Sequence, residues 1–156
     1  MHCFENKIGS DLRLFFSKQT FQKNLKKISR YKKLYTFHFV LVYPNIKCST
    51  KFIFSKVKKF SKPSQKDFSR ISSKIKFIKL IKKEKNDLQK IAISKFVAIK
   101  KVLDFISIQN GCFFSRMTGS GSVCFGMFKS EKLAILGLKT IKKNFPRYWC
   151  VVTKTI

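Results

Sequence analysis

The run Arg116-Met117-Thr118-Gly119-Ser120-Gly121-Ser122-Val123 carries the densest chemistry in the chain. Two glycines flanking a serine give a backbone that turns tightly and directs several N–H groups toward one point, with hydroxyls alongside. Such a cradle suits an anion, although the same residues also suit a plain hairpin loop. A second candidate is Asp11, which follows Ile8-Gly9-Ser10 and precedes Leu12, Leu14, Phe15 and Phe16. In that setting Ser10 or Asp11 accepts from the free backbone N–H groups of a helix entry. Five cysteines, Cys3, Cys48, Cys112, Cys124 and Cys150, are odd in number and scattered, with no Cys-x-x-Cys pair. They read as reduced thiols of a cytoplasmic protein and argue against a metal site.

The elements that must position these groups follow from hydrophobic period. Residues 36–43 alternate, with Phe37, Phe39, Leu41 and Tyr43 against His38, Val40 and Val42. Both faces are apolar, which predicts a central strand, and Pro44 ends it because proline cannot donate to a ladder. Ser49 or Thr50 then caps a short helix carrying Phe52, Ile53, Val57 and Phe60. The stretch 58–85 is rich in Lys and Ser and reads as a solvated connection, with a helical turn or two over 75–81. From an N-cap at Asn86-Asp87, the apolar residues Leu88, Ile91, Ala92, Phe96, Ile99, Val102, Leu103 and Ile106 recur at helical spacing until Asn110-Gly111. A strand over 112–117, the glycine loop and a strand over 123–128 come next. Ser130-Glu131 opens another helix with Leu133, Ala134, Leu136, Leu138 and Ile141 as core candidates, and residues 148–153 make a final strand. Strands and helices without a regular βαβ repeat predict an α+β domain: a small, mainly antiparallel sheet with helices packed on one face.

Composition sets the outer limits. The 156 residues hold 35 Lys plus Arg against 7 Asp plus Glu, a formal charge of +28, and 44% are hydrophobic, enough for a packed core rather than disorder. The longest apolar runs, near 39–42 and 123–128, fall far short of the ~20 residues a membrane-spanning helix needs, and the first residues lack a basic-then-apolar leader pattern. Such a charge points to nucleic acid, since clustered cations release counterions from phosphates. Yet only Arg13, Arg30, Arg70, Arg116 and Arg147 are arginine, and base-reading and bidentate phosphate contacts favour arginine. The joint excess of Lys, Phe, Ile and Asn also fits an AT-rich coding sequence. A basic nucleic-acid-binding protein built on a relic enzyme domain therefore stands as the alternative reading, not the leading one.

Residues 116–128, read Arg-Met-Thr-Gly-Ser-Gly-Ser-Val-Cys-Phe-Gly-Met-Phe, resemble the third motif of the GHMP kinase superfamily. Within it they resemble the 4-diphosphocytidyl-2-C-methyl-D-erythritol kinases, with Arg-Met-Ser-Gly-Ser-Gly-Ala/Pro-Thr-Cys-Phe-Ala-Leu-Phe. Three further segments are similar in the same order. Ile8–Phe16 resembles that family's Gly-Ala-Asp-Val-Pro-Phe-Phe motif, Leu41–Phe54 its strand-Pro-x-x-x-x-Ser-Thr-x-x-x-Phe segment, and Asn86-Asp87-Leu88-Gln89 its Asn-Asp-Leu-Glu helix start. Pro146, Trp149 and Val152 form a compatible end.

The resemblance implies a GHMP kinase C-terminal-domain-like fold over 37–156, with a basic connection near 58–85, and a remnant of the N-terminal kinase domain over 1–36. It implies transfer of the ATP γ-phosphoryl, with Mg2+ accompanying ATP as co-substrate and no tightly bound cofactor, to a hydroxyl of CDP-methylerythritol in non-mevalonate isoprenoid biosynthesis. Asp11 falls on the family's catalytic base, a role consistent with phosphoryl transfer, which asks for positioning, charge neutralisation and a base within reach. Thr50 and Phe54 fall on substrate-side positions, the ring stacking on cytosine; a core position is the other reading of Phe54. Gly119, Ser120 and Gly121 line the phosphate region. Arg13 stands where the family has Pro, and the family's catalytic-lysine strand and its Pro-x-x-x-Gly-Leu-Gly-Gly-Gly-Ser-Ser-Asp loop have no counterpart here. The expectation is a truncated or split kinase, weak or inactive alone, served by a separately encoded N-terminal half.

Overall fold

The computed structural model describes residues 19–22, 28–62 and 68–155. Asp11 lies outside them. In chain order the described elements are β1 (Thr20–Gln22), β2 (Ile28–Arg30), β3 (His38–Tyr43), α1 (Thr50–Ser55), a 3-10 turn (Phe68–Arg70), α2 (Lys74–Lys83), α3 (Asp87–Lys95), α4 (Val97–Ser107), β4 (Cys112–Met117), β5 (Cys124–Phe128), α5 (Glu131–Asn144) and β6 (Trp149–Lys154). The chain divides into two compact units. Among the described residues, one comprises 19–22, 28–36, 68–80 and 155, and the other 37–62 and 81–154.

The smaller unit pairs β1 with β2 antiparallel, Phe21 opposite Ser29. Its core is aromatic: Phe21 and Phe68 rings lie 5.2 Å apart, and Tyr31 meets Phe77 edge-on at 5.4 Å. Phe77 and Ile78 are the buried side of α2, ten residues long, so the Lys-rich composition of 58–85 conceals an amphipathic helix of nearly three turns. Its lysines occupy the solvent side of the apolar stripe, which is why charge density alone reads as a linker.

The larger unit is a four-stranded sheet ordered β4-β5-β3-β6, every neighbouring pair antiparallel. Central β3 pairs Val40 with Gly126 on one side and with Val152 on the other. Its two-faced apolar pattern has a physical cause in that position. Val40 and Val42 are fully buried beneath the helices. Phe39 on the opposite face meets Phe125 edge-on at 5.9 Å, and Phe125 in turn meets Phe114 at 6.0 Å. The core joins Val40, Val42 and Phe128 of the sheet to Ile99, Val102, Leu103 and Ile106 of α4 and Ala134 and Ile141 of α5. This is the expected α+β architecture, a small antiparallel sheet with helices on one face.

Three local differences from the sequence reading are instructive. The single helix expected from Asn86-Asp87 to Ile106 is two, broken where Phe96 takes φ −125°, ψ 87°. The break lets α3 bury Leu88 and Ala92 while α4, on a new axis, buries Ile99, Val102, Leu103 and Ile106. Leu136 is 49% exposed. Two residues beyond buried Ala134 is about 200° around a helix, so the two cannot share the core face. Val57 and Phe60 fall past the end of α1, which Ser49 opens by accepting from Phe52 N–H. No helix among the described residues is long and apolar enough to cross a membrane.

Candidate functional site

Every described residue of the site belongs to the larger unit. The loop between β4 and β5 is closed internally by two hydrogen bonds, Thr118 N–H to Val123 O at 2.8 Å and Gly121 N–H to Thr118 O at 2.9 Å. Gly119 and Gly121 hold φ +47° and +100°. At Gly121 the requirement is double: a Cβ there would also stand 2.8 Å from Met117 Sδ and 3.3 Å from Cys48 Sγ. Around Gly119 a Cβ would meet nothing within 4 Å, so the loop crest is open. No acceptor among the described residues takes the Gly119 or Ser120 N–H. Two free, adjacent amide donors on an open glycine turn are what an anion-binding nest consists of.

Other elements hold this crest. Thr50 and Ser120 hydroxyls are 2.9 Å apart, tying the first residue of α1 to the loop. Ser122, nearly fully buried, donates to Ile46 O at 2.5 Å. The Asn86 amide donates to Met117 O at 2.9 Å and to Gly119 O at 2.8 Å, and its oxygen accepts from Leu88 N–H at 3.0 Å. Gln89 accepts from Met117 N–H at 2.9 Å. Because β4 is an edge strand, Met117 has no further strand to pair with, and the side-chain amides of the first turn of α3 stand in for one. Asp87, beside them, is held below the ordinary carboxylate value by hydrogen bonds from the Ser61 hydroxyl and Ser61 N–H, at 2.5 and 2.8 Å.

Of the residues singled out from sequence, Thr50, Gly119, Ser120 and Gly121 come together. Phe54, one turn along α1 from Thr50, is 49% exposed and 6.5 Å from the ring of Phe60, itself 55% exposed. It is not a core residue, and its face is free to stack. Phe52, by contrast, is partly buried and carries Lys95 Nζ 3.6 Å from its ring centroid, a cation–π contact. Burial pushes the Cys124 thiol up to about 12, with Cys48 adding to the rise, so it stays protonated at neutral pH. The chemistry on offer is that of hydroxyls and amide N–H groups, not of a thiolate. Among the described residues no three His, Cys, Asp or Glu side chains group as a metal site.

Sequence reasoning did not find the Asn86 and Gln89 contacts to the loop. Asn-x-x-Gln at a helix start suggests a capping box in which Gln89 reaches back to the N-cap; here Gln89 reaches across to the strand instead. Nor did it find the work of Arg116. That guanidinium donates to Ile81 O at 2.9 Å, at the C-terminal end of α2, and lies 4.7 Å over the Phe114 ring. Burial lowers its pKa from the ordinary value while Glu84 opposes the change. Arg116 thus closes a helix end rather than facing the glycine crest.

The GHMP kinases C-terminal family model matches residues 66–147. The chain belongs to the GHMP kinase family. Among curated GHMP relatives, the 4-diphosphocytidyl-2-C-methyl-D-erythritol kinase of Pelagibacter ubique (strain HTCC1062) is 36% identical over 129 residues, covering 83% of this chain and 45% of the relative. The same-named kinase of a Wolbachia sp. from Drosophila simulans (strain wRi) is 42% identical over 125 residues, covering 75% and 40%. This GHMP kinase chain therefore spans less than half the length of these relatives. A crystal structure of 4-(cytidine 5'-diphospho)-2C-methyl-D-erythritol kinase shares the fold, with a TM-score of 0.69 at 17% identity, over 97% of this chain and 55% of that one.

Proposed function

We propose that this chain is the substrate-side part of a CDP-methylerythritol kinase, acting in the cytoplasm in ATP-dependent phosphorylation of a substrate hydroxyl in isoprenoid biosynthesis. The reading rests above all on one observation: the Thr50–Ser120 hydroxyl contact at 2.9 Å joins the helix bearing Phe54 to the glycine crest with its two free N–H donors. Phe54 stacks on the cytosine, Thr50 makes a nearby polar contact, and Gly119, Ser120 and Gly121 surround a phosphate of the ligand. Base stacking on an exposed aromatic contributes about 1–3 kcal/mol. Asp11 takes the proton from the attacking hydroxyl. In this reading residues 1–36 are a remnant of the N-terminal kinase domain and 37–156 the C-terminal one. ATP and its Mg2+ are held by the family's glycine-rich loop, which these 156 residues do not contain, so the 156 residues on their own have little or no kinase activity.

Calorimetric titration of the purified chain with CDP-methylerythritol and, separately, with ATP tests this directly. The expected outcome is saturable binding of the cytidine-linked substrate and no heat with ATP. If neither ligand binds, or if ATP binds and the substrate does not, the substrate-side assignment fails.

A further inference from the structure

The contacts of Asn86 serve two different purposes. Its oxygen caps α3 through Leu88 N–H, a helix-stabilising role many residues can fill. Its Nδ2 bonds go elsewhere, to the carbonyls of Met117 and Gly119, at the entrance and the crest of the glycine loop. A carboxamide is the side chain of this size that accepts on one side and donates twice on the other. Turning the Gly119 carbonyl toward Asn86 fixes the plane of the Gly119–Ser120 peptide, and with it the direction of the Ser120 N–H. Gln89 locks the other backbone group of Met117 from the same helical turn.

We propose that Asn86 is a positioning residue: its amide sets the shape in which the glycine crest offers N–H donors to a phosphate of the bound ligand, independently of its helix-capping role. The phosphate part of this inference rests on the substrate-side reading above, whereas the shape-setting part does not. The conservative pair Asn86→Asp and Asn86→Ser separates the two purposes. Both replacements remain good N-caps, but an ionised Asp cannot donate at all and the single hydroxyl of Ser cannot donate to both carbonyls; Asp adds a charge facing them and Ser does not, so Ser keeps the test valid if the Asp variant fails to fold.

Amide hydrogen exchange on the full chain reads the loop without any ligand. Expected in the Ser variant is unchanged protection at Leu88 N–H, with protection at Thr118 and Gly121 N–H falling about tenfold, the scale of losing two hydrogen bonds at the loop. Affinity for CDP-methylerythritol is expected to fall about tenfold in parallel. Unchanged loop protection in the variants overturns the proposal, as does loss of Leu88 and loop protection together, which marks a capping role alone. Lowered loop protection with unchanged substrate affinity overturns the link to the phosphate. Absence of binding by the parent chain instead counts against the substrate-side reading and leaves the exchange result to decide what Asn86 does.

Discussion

Replacing Gly121 by Val is expected to destabilise the larger unit by about 2–6 kcal/mol. The backbone holds φ +100° there, a region a β-branched residue enters only under strain. Residues forced into such regions cost about 1–3 kcal/mol. The added side chain also has nowhere to go, since its Cβ stands 2.8 Å from Met117 Sδ and 3.3 Å from Cys48 Sγ. Met117 is itself buried, and overpacking a filled core costs about a further 1–3 kcal/mol. Urea unfolding followed by fluorescence of Trp149, the chain's single tryptophan and the first residue of β6, measures the change. A midpoint shifted by less than the equivalent of ~1 kcal/mol contradicts the loop geometry. The loop that presents the crest is thus also a packed part of the fold, and damage there removes site and stability together.

Truncation of Phe128 to Ala is expected to cost about 3–5 kcal/mol, the range for removing a buried phenylalanine. The ring lies under α5, and only the absence of a side chain at Gly137 lets the helix come so near. A Cβ at Gly137 would stand 2.9 Å from Phe128 Cε1 and Cζ. The ring also borders Gly126, whose own missing Cβ would come 2.3 Å from Ile106 Cγ2 of α4. One side chain therefore fills the space under two helices that glycines allow to approach the sheet. Leu136→Ala, on the exposed side of α5, serves as the internal control in the same urea titration and should stay within about 0.5 kcal/mol. A cost below ~1.5 kcal/mol for Phe128→Ala contradicts this packing.

The sheet was legible wherever residue type alternated clearly. The period-2 runs at 38–43 and 124–128 sit within a residue or two of their expected bounds, and Ser49, Asn86 and Ser130 all cap the helices they announce. The break at Phe96 was not legible, because helical periodicity on both sides of it continues in register and only the differing targets of α3 and α4 require the bend. Helix α2 was hidden for a different reason. Five lysines among its ten residues dilute an apolar stripe that becomes visible only when Phe77 finds aromatic partners and Ile78 is buried beside it.

The glycine crest could be read from its residues, since glycine takes the positive φ of Gly119 and Gly121 without strain. Its support could not. Asn86 and Gln89 advertise a helix start, and nothing in their spacing says that the same amides complete the pairing of an edge strand thirty residues later. The charge of +28 had the opposite fault, being conspicuous without being placed. Five of its lysines lie on α2, where they take the solvent side of the helix.

In the substrate-side reading proposed above, α1 and the glycine crest form one ligand site. Amide chemical-shift mapping of the isotopically labelled chain during titration with CDP-methylerythritol tests it most directly. The expected result is a single saturable set of changes confined to the amides of Gly119 and Ser120 and to those of residues 50–54, with one shared dissociation constant. Saturable changes that spare both segments, or that touch one of them alone, contradict it.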